Sequence, residues 1–238
     1  MGHDGAVLSR LLPALAALAL AVLTAGCGGG PARDPAAEGS PERSASATPA
    51  ASEAGGETFE SDVELARSLG EDFWRRRFEA DGLRYEPLRD FIAYQPLKGP
   101  ACAGEPALPN NAFYCPEGHF VAFDERWMRE MNDRLGDASI YLIILHEIGH
   151  AVQAQTMSDF RLNVERELQA DCYAGGALGT LVSAGALNAE EGDEEELLIN
   201  LASAGDPSDA WWRPDAHGTA GQRQQAFAGG YNQGVDSC

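Results

Sequence analysis

The sequence predicts an α+β domain, mostly helical, with a small mixed β-sheet and a central helix bearing a His-Glu-x-x-His pattern. Three observations lead there. The stretch "YLIILHEIGHAVQAQ" is apolar on most faces through Ile140, Leu142, Ile143, Ile144, Leu145 and Ile148, as a buried helix must be. "AFYCPEGHFVAFDERWM" alternates around Phe113 and again around Phe120, the period of a short hairpin. Several further segments repeat apolar residues at helical spacing.

The chain has 238 residues, and its first quarter does not read as folded domain. Residues 1–26 form a targeting segment: Arg10, the apolar core "LLPALAALALAVLTA", then small residues. That core, about 15 residues, falls short of the roughly 20 that span a bilayer. The segment ends Leu23-Thr24-Ala25-Gly26-Cys27, which resembles the lipobox of bacterial lipoproteins. The resemblance implies lipidation of Cys27, a membrane anchor and an extracytoplasmic location at the cell surface or in the periplasm. An ordinary secretory signal cut near Ala25 is the alternative. Residues 27–57 are Gly-, Pro-, Ala- and Ser-rich, with too little apolar surface for a core, and read as a tether. The domain is expected over residues 58–238.

Asp and Glu outnumber Lys and Arg by 37 to 17, giving a formal net charge of −20. That balance repels nucleic acid and excludes it as a partner. With Cys27 assigned to lipid, Cys102, Cys115, Cys172 and Cys238 remain, an even number in an exported chain. Cys102 and Cys115 enclose a short loop and are expected to pair. That leaves Cys172 with Cys238. No C-x-x-C spacing supports a cysteine metal site.

Along the domain, "SDVELARSLGEDFWRRRFEADG" reads as a helix opened by a capping box of Ser61 and Glu64. "LRYEPLRDFIAYQPLKGPACAG" mixes strand formers with turn formers. The hairpin follows, its second strand ending near Asp124, and then a helix to Leu135. Gly136 and Asp137 break the chain, and Asp137 or Ser139 can cap the motif helix. "RLNVERELQADCYAGGALGTLVSAG" is a helix ended by Gly185. "NAEEGDEEELLINLASAG" is an acidic-faced helix, "DPSDAWWRPDAHG" a loop and "TAGQRQQAFAGGYNQG" a last helix.

Residues four apart share a helix face, so His146 and His150 can converge on one ion. Glu147, roughly 100° around the axis, sits beside that ion, where a general base belongs. Gly149 lets another element approach closely. Two histidines and a glutamate in so apolar a helix are costly unless paired or coordinated. Catalytic zinc takes three protein ligands and keeps one position open. His119, His217 and the downstream carboxylates are the options for the third ligand. "ERELQADCYAGG" is the best source, because Glu167 and Asp171 share a face. Glu167 can reach the ion while Asp171 accepts a hydrogen bond from a ligand histidine.

"HEIGHAVQ", "ELQADC", "HGTAGQR" and "GGYNQG" with a terminal Cys, in that order, resemble the bacterial neutral zinc metallopeptidase family over Phe91 to Cys238. "FYCPEGHFVAFD" is similar to that family's strand region. The E-x-x-A-D pattern is also similar to gluzincin proteases, which implies a zincin-like fold and Glu167 as third ligand. The same comparison implies roles for His217 and Arg223. His217 would donate a hydrogen bond to the developing oxyanion, or else cap the last helix, and Arg223 would pair with a buried carboxylate. Ala151 departs from the family pattern, at a position that is no ligand.

The expected activity is hydrolysis of peptide bonds by a zinc-activated water, with Glu147 as general base and a peptide or protein as substrate. The strand near His119 to Phe123 is expected to hold an extended peptide by edge pairing. The alternative is a catalytically inactive zincin-fold lipoprotein acting as an envelope binding or scaffold module.

Overall fold

Residues 138–153 are buried without a break, and the rest of the domain is arranged around them. The structure is a computed structural model and describes residues 58–156 and 159–238. The expected signal segment, the tether and Cys27 lie outside the described residues.

The elements run α1 (Phe59–Ala80), β1 (Asp90–Tyr94), β2 (Ala112–Cys115), β3 (Phe120–Asp124), α2 (Glu125–Leu135), α3 (Ala138–Gln155), α4 (Asn163–Ser183), α5 (Asp193–Ser203) and α6 (Ala220–Gln233), with a 3₁₀ turn at Val235–Ser237. This is the mostly helical α+β architecture expected. No helix among the described residues is long and apolar enough to cross a membrane.

α1 starts earlier than its sequence suggests. Thr58 is the N-cap, and it exchanges reciprocal hydrogen bonds with Ser61. The helix gains a turn because Phe59 is then buried in the core, so Ser61 and Glu64 are not the capping box. α2 is capped by Asp124, whose Oδ1 accepts from the Trp127 N–H at 3.3 Å. Asp124 Oδ2 accepts from the Asn110 N–H at 2.9 Å, which ties the loop before β2 to this helix. Asp137 is the N-cap of α3 but makes no side-chain cap bond, and the Ser139 hydroxyl donates to the Gly136 carbonyl at 2.6 Å instead.

The sheet has the order β1-β3-β2. β3 pairs parallel with β1 and antiparallel with β2. It is therefore the middle strand, and both its edges are used. This corrects the expectation that the strand near His119 to Phe123 pairs with a peptide; the available edge on that side of the sheet belongs to β2.

α3 packs against α1, α2, α4, α5 and the sheet. Gly149 allows α4 in: a Cβ there would lie 3.3 Å from the Ala170 carbonyl oxygen, tighter than ordinary contact. α4 and α6 pack closest of all. A Cβ at Gly230 would overlap the Cys172 carbonyl, and one at Gly175 the Phe227 carbonyl. Disulfides join Cys102 to Cys115 and Cys172 to Cys238. The first closes the loop that ends in β2, and the second fastens the chain beyond α6 to α4.

Candidate metal centre

α3 presents His146 and His150 on one face, their rings 4.7 Å apart and nearly perpendicular. α4 crosses α3 at Gly149 and brings Glu167 to the same place. Glu167 Oε2 lies 3.3 Å from His146 Nε2 and 3.5 Å from His150 Nε2. The three donor atoms fall within 4.8 Å of one another, and all three residues are buried. A tetrahedron around zinc with bonds of roughly 2.0–2.1 Å has edges of roughly 3.3 Å, so the separations and the donor chemistry both fit that ion.

Each histidine is held from behind. His146 Nδ1 lies 2.9 Å from Asp171 Oδ1. Arg223 donates to Asp171 through Nε at 2.8 Å and Nη2 at 2.7 Å, and caps Ala204 O through Nη1 at 3.1 Å. His150 Nδ1 lies 2.8 Å from Gln153 Oε1. With Nδ1 engaged on both rings, both Nε2 atoms face Glu167.

The electrostatics point the same way. Burial acts to strip the proton from His146, but Asp171 and Glu167 outweigh it, and its pKa is pushed up to about 10. Burial acts to raise Glu167, yet its hydrogen bonds to His146 and His150 hold the carboxyl far below its usual range. Asp171 is also held low against its burial, first by Arg223 and then by His146. The neighbouring carboxylates thus favour a positive charge on His146.

The centre lies in a cavity of about 600 Å³. Glu147 is buried and lines it beside His146 and His150. Phe113 and Tyr114 of β2, Trp127 and Met131 of α2, and Leu142 and Ile143 of α3 give it apolar walls. Arg166 of α4, Asn200 and Ser203 of α5, and Arg223 of α6 give it polar ones. Arg166 Nη2 donates to Glu167 Oε1 at 3.0 Å.

His217 lines the cavity from the loop before α6 and is exposed. It is not the cap of that helix: Thr219 is, in a capping box with Gln222, while the His217 N–H goes to Asp206 Oδ2 at 2.7 Å. His119 is not in the donor group. Its Nε2 donates to the Glu86 carbonyl at 3.0 Å and its Nδ1 accepts from the Tyr114 hydroxyl at 2.8 Å. Sequence reasoning missed Gln153. Its signal was its place three residues after His150, one turn on along the same face.

Residues 5–238 match the profile of a family described as "Putative neutral zinc metallopeptidase". The chain belongs to that family. For a neutral zinc metallopeptidase family the implied metal is zinc, and His146, His150 and Glu167 are a donor set able to hold it. The chain is 33% identical over 190 residues to "Uncharacterized protein YpfJ" of Escherichia coli strain K12, covering 69% of this chain and 64% of that protein. The same figures hold for the protein of that name in Escherichia coli O6:H1. The chain thus spans just under two thirds of the length of the curated relatives it matches. No solved structure matches it.

Proposed function

We propose that the protein is a zinc-dependent peptidase in which His146, His150 and Glu167 hold the ion and Glu147 is the general base. The observation that carries this reading is the convergence of three buried donor atoms beside a buried glutamate in one cavity. Zinc bound there supplies Lewis acidity, which lowers the pKa of a water and polarises a carbonyl. Glu147, buried in the same cavity, takes a proton from the attacking water and delivers it to the leaving amine. Asp171 and Gln153 keep the two imidazoles turned toward the ion, and Arg223 keeps Asp171 charged. His217, in the cavity wall, donates to the oxyanion.

An extended substrate pairs with the free edge of β2, its backbone bonds independent of sequence. A large apolar side chain of that substrate then meets Trp127, Met131, Leu142 and Ile143. The domain works outside the cytoplasm, tethered through a lipidated Cys27. The lipobox supports this, and two disulfides suit an oxidising compartment.

Zinc stoichiometry of the wild type and of Glu167→Ala, with cleavage of a mixed peptide library, tests the reading. The wild type should carry one zinc and cut peptides, and the variant should do neither. Full zinc content and activity in Glu167→Ala would remove Glu167 from the site.

A further inference from the structure

Gln153 is buried, and its side-chain amide spans α3 and α4. Its Oε1 lies 2.8 Å from His150 Nδ1, while its Nε2 lies 2.8 Å from the Arg166 carbonyl oxygen and 3.1 Å from Gln169 Oε1. The orientation of this amide follows from one group. A backbone carbonyl only accepts, so the amide nitrogen must face Arg166. The amide oxygen is thereby turned to His150. It too can only accept, so the ring proton of His150 must sit on Nδ1. Nε2 is left to face Glu167 Oε2.

We infer that Gln153 is the positioning residue of the second histidine, and that the main chain of the third ligand's helix sets its direction. The Arg166 carbonyl belongs to the residue just before Glu167. Docking of α4 therefore does three things at once. It supplies Glu167, it supplies Asp171 behind His146, and through Arg166 and Gln153 it fixes the tautomer of His150. The two histidines are held by different chemistry: a charged carboxylate locked by Arg223 for one, a neutral amide locked by a peptide carbonyl for the other. The inference rests on the reading of this group as a metal site and is independent of whether peptides are cut.

The test uses the full chain and zinc itself. Zinc affinity is measured by competition with a chromophoric chelator for the wild type, Gln153→Met and Gln169→Leu. Gln153→Met keeps the volume and removes the acceptor, and should weaken zinc by about 10–100-fold. It should also shift the visible bands of the cobalt-substituted protein. Gln169→Leu removes only the distal partner, leaves the Arg166 carbonyl in place, and should bind zinc like the wild type. Equal affinity and an unchanged cobalt spectrum in Gln153→Met would overturn the inference, as would an equal loss in Gln169→Leu. Nitrogen-15 spectra of the imidazoles in the zinc-loaded wild type give a second reading that needs no variant. A proton on Nδ1 of His150 is expected, and a proton on its Nε2 would overturn the assignment. Failure of the wild type to bind zinc would overturn the metal reading beneath it.

Discussion

His146 Nδ1 and Asp171 Oδ1 lie 2.9 Å apart, joining α3 to α4 at the point where His146, His150 and Glu167 converge. Arg223 grips the same carboxylate with two nitrogens, so one buried aspartate serves a ligand and a cation together.

Asp171→Ala is expected to cost about 3–5 kcal/mol, because it leaves the Arg223 guanidinium buried without its counter-charge. It should also weaken zinc by about 10–100-fold, because His146 loses its anchor. Denaturant unfolding and chelator competition measure the two effects. A variant as stable as the wild type would show that the pair carries little of the fold.

The pH dependence has a definite sign. A group with a raised folded pKa stabilises the native state fully below its unfolded value, and loses that contribution as pH rises through the folded one. For His146 this window runs from 6.5 to about 10. The metal-free protein should lose stability across it, and the zinc-loaded protein, whose His146 Nε2 carries no proton, should not. Zinc competes with that proton, so its affinity should rise over the same range. The gap in Tm between zinc-loaded and metal-free protein should therefore widen with pH, and scanning calorimetry at several pH values reads it. A flat or narrowing gap would contradict the proton's place on His146.

The chain reveals the candidate donor set early and the cavity late. His146, Glu147 and His150 are grouped by helical geometry, and the same geometry one helix on makes Glu167 with Asp171 the best candidates, which the family resemblance then favours. Gln153 has the same kind of signal, but its meaning depends on the Arg166 carbonyl, which only the docking of α4 supplies. Strand order is harder still. β3 follows β2 in a hairpin, and nothing local says that β1 returns parallel on its far side. The edge left open for a further strand therefore passes from β3 to β2. The start of α1 at Phe59, capped by Thr58, was hidden because burial of Phe59 is a tertiary matter.

The apolar walls predict selectivity. A mixed peptide library should show enrichment of bulky apolar side chains at one position next to the scissile bond. Trp127→Ala should reduce that preference by about 10-fold or more, within the range that a few methylenes of contact provide. Sequencing of the cleaved products tests this, and cleavage indifferent to side-chain size in the wild type would refute it.

Metal removal separates a working centre from a purely structural one. With a continuous core around α3 and two disulfides, the fold is expected to stand without the ion. A strong chelator should abolish cleavage while the far-ultraviolet circular dichroism stays close to that of the loaded protein. Unfolding on chelation would mean that the metal is chiefly structural.

Glu147→Gln tests the central claim most directly, with zinc content and peptide cleavage measured on the same samples. The variant should carry one zinc per chain, as the wild type does, and lose at least about 100-fold in kcat, the usual contribution of a general base. Wild-type turnover in Glu147→Gln, with zinc in place, would contradict the account.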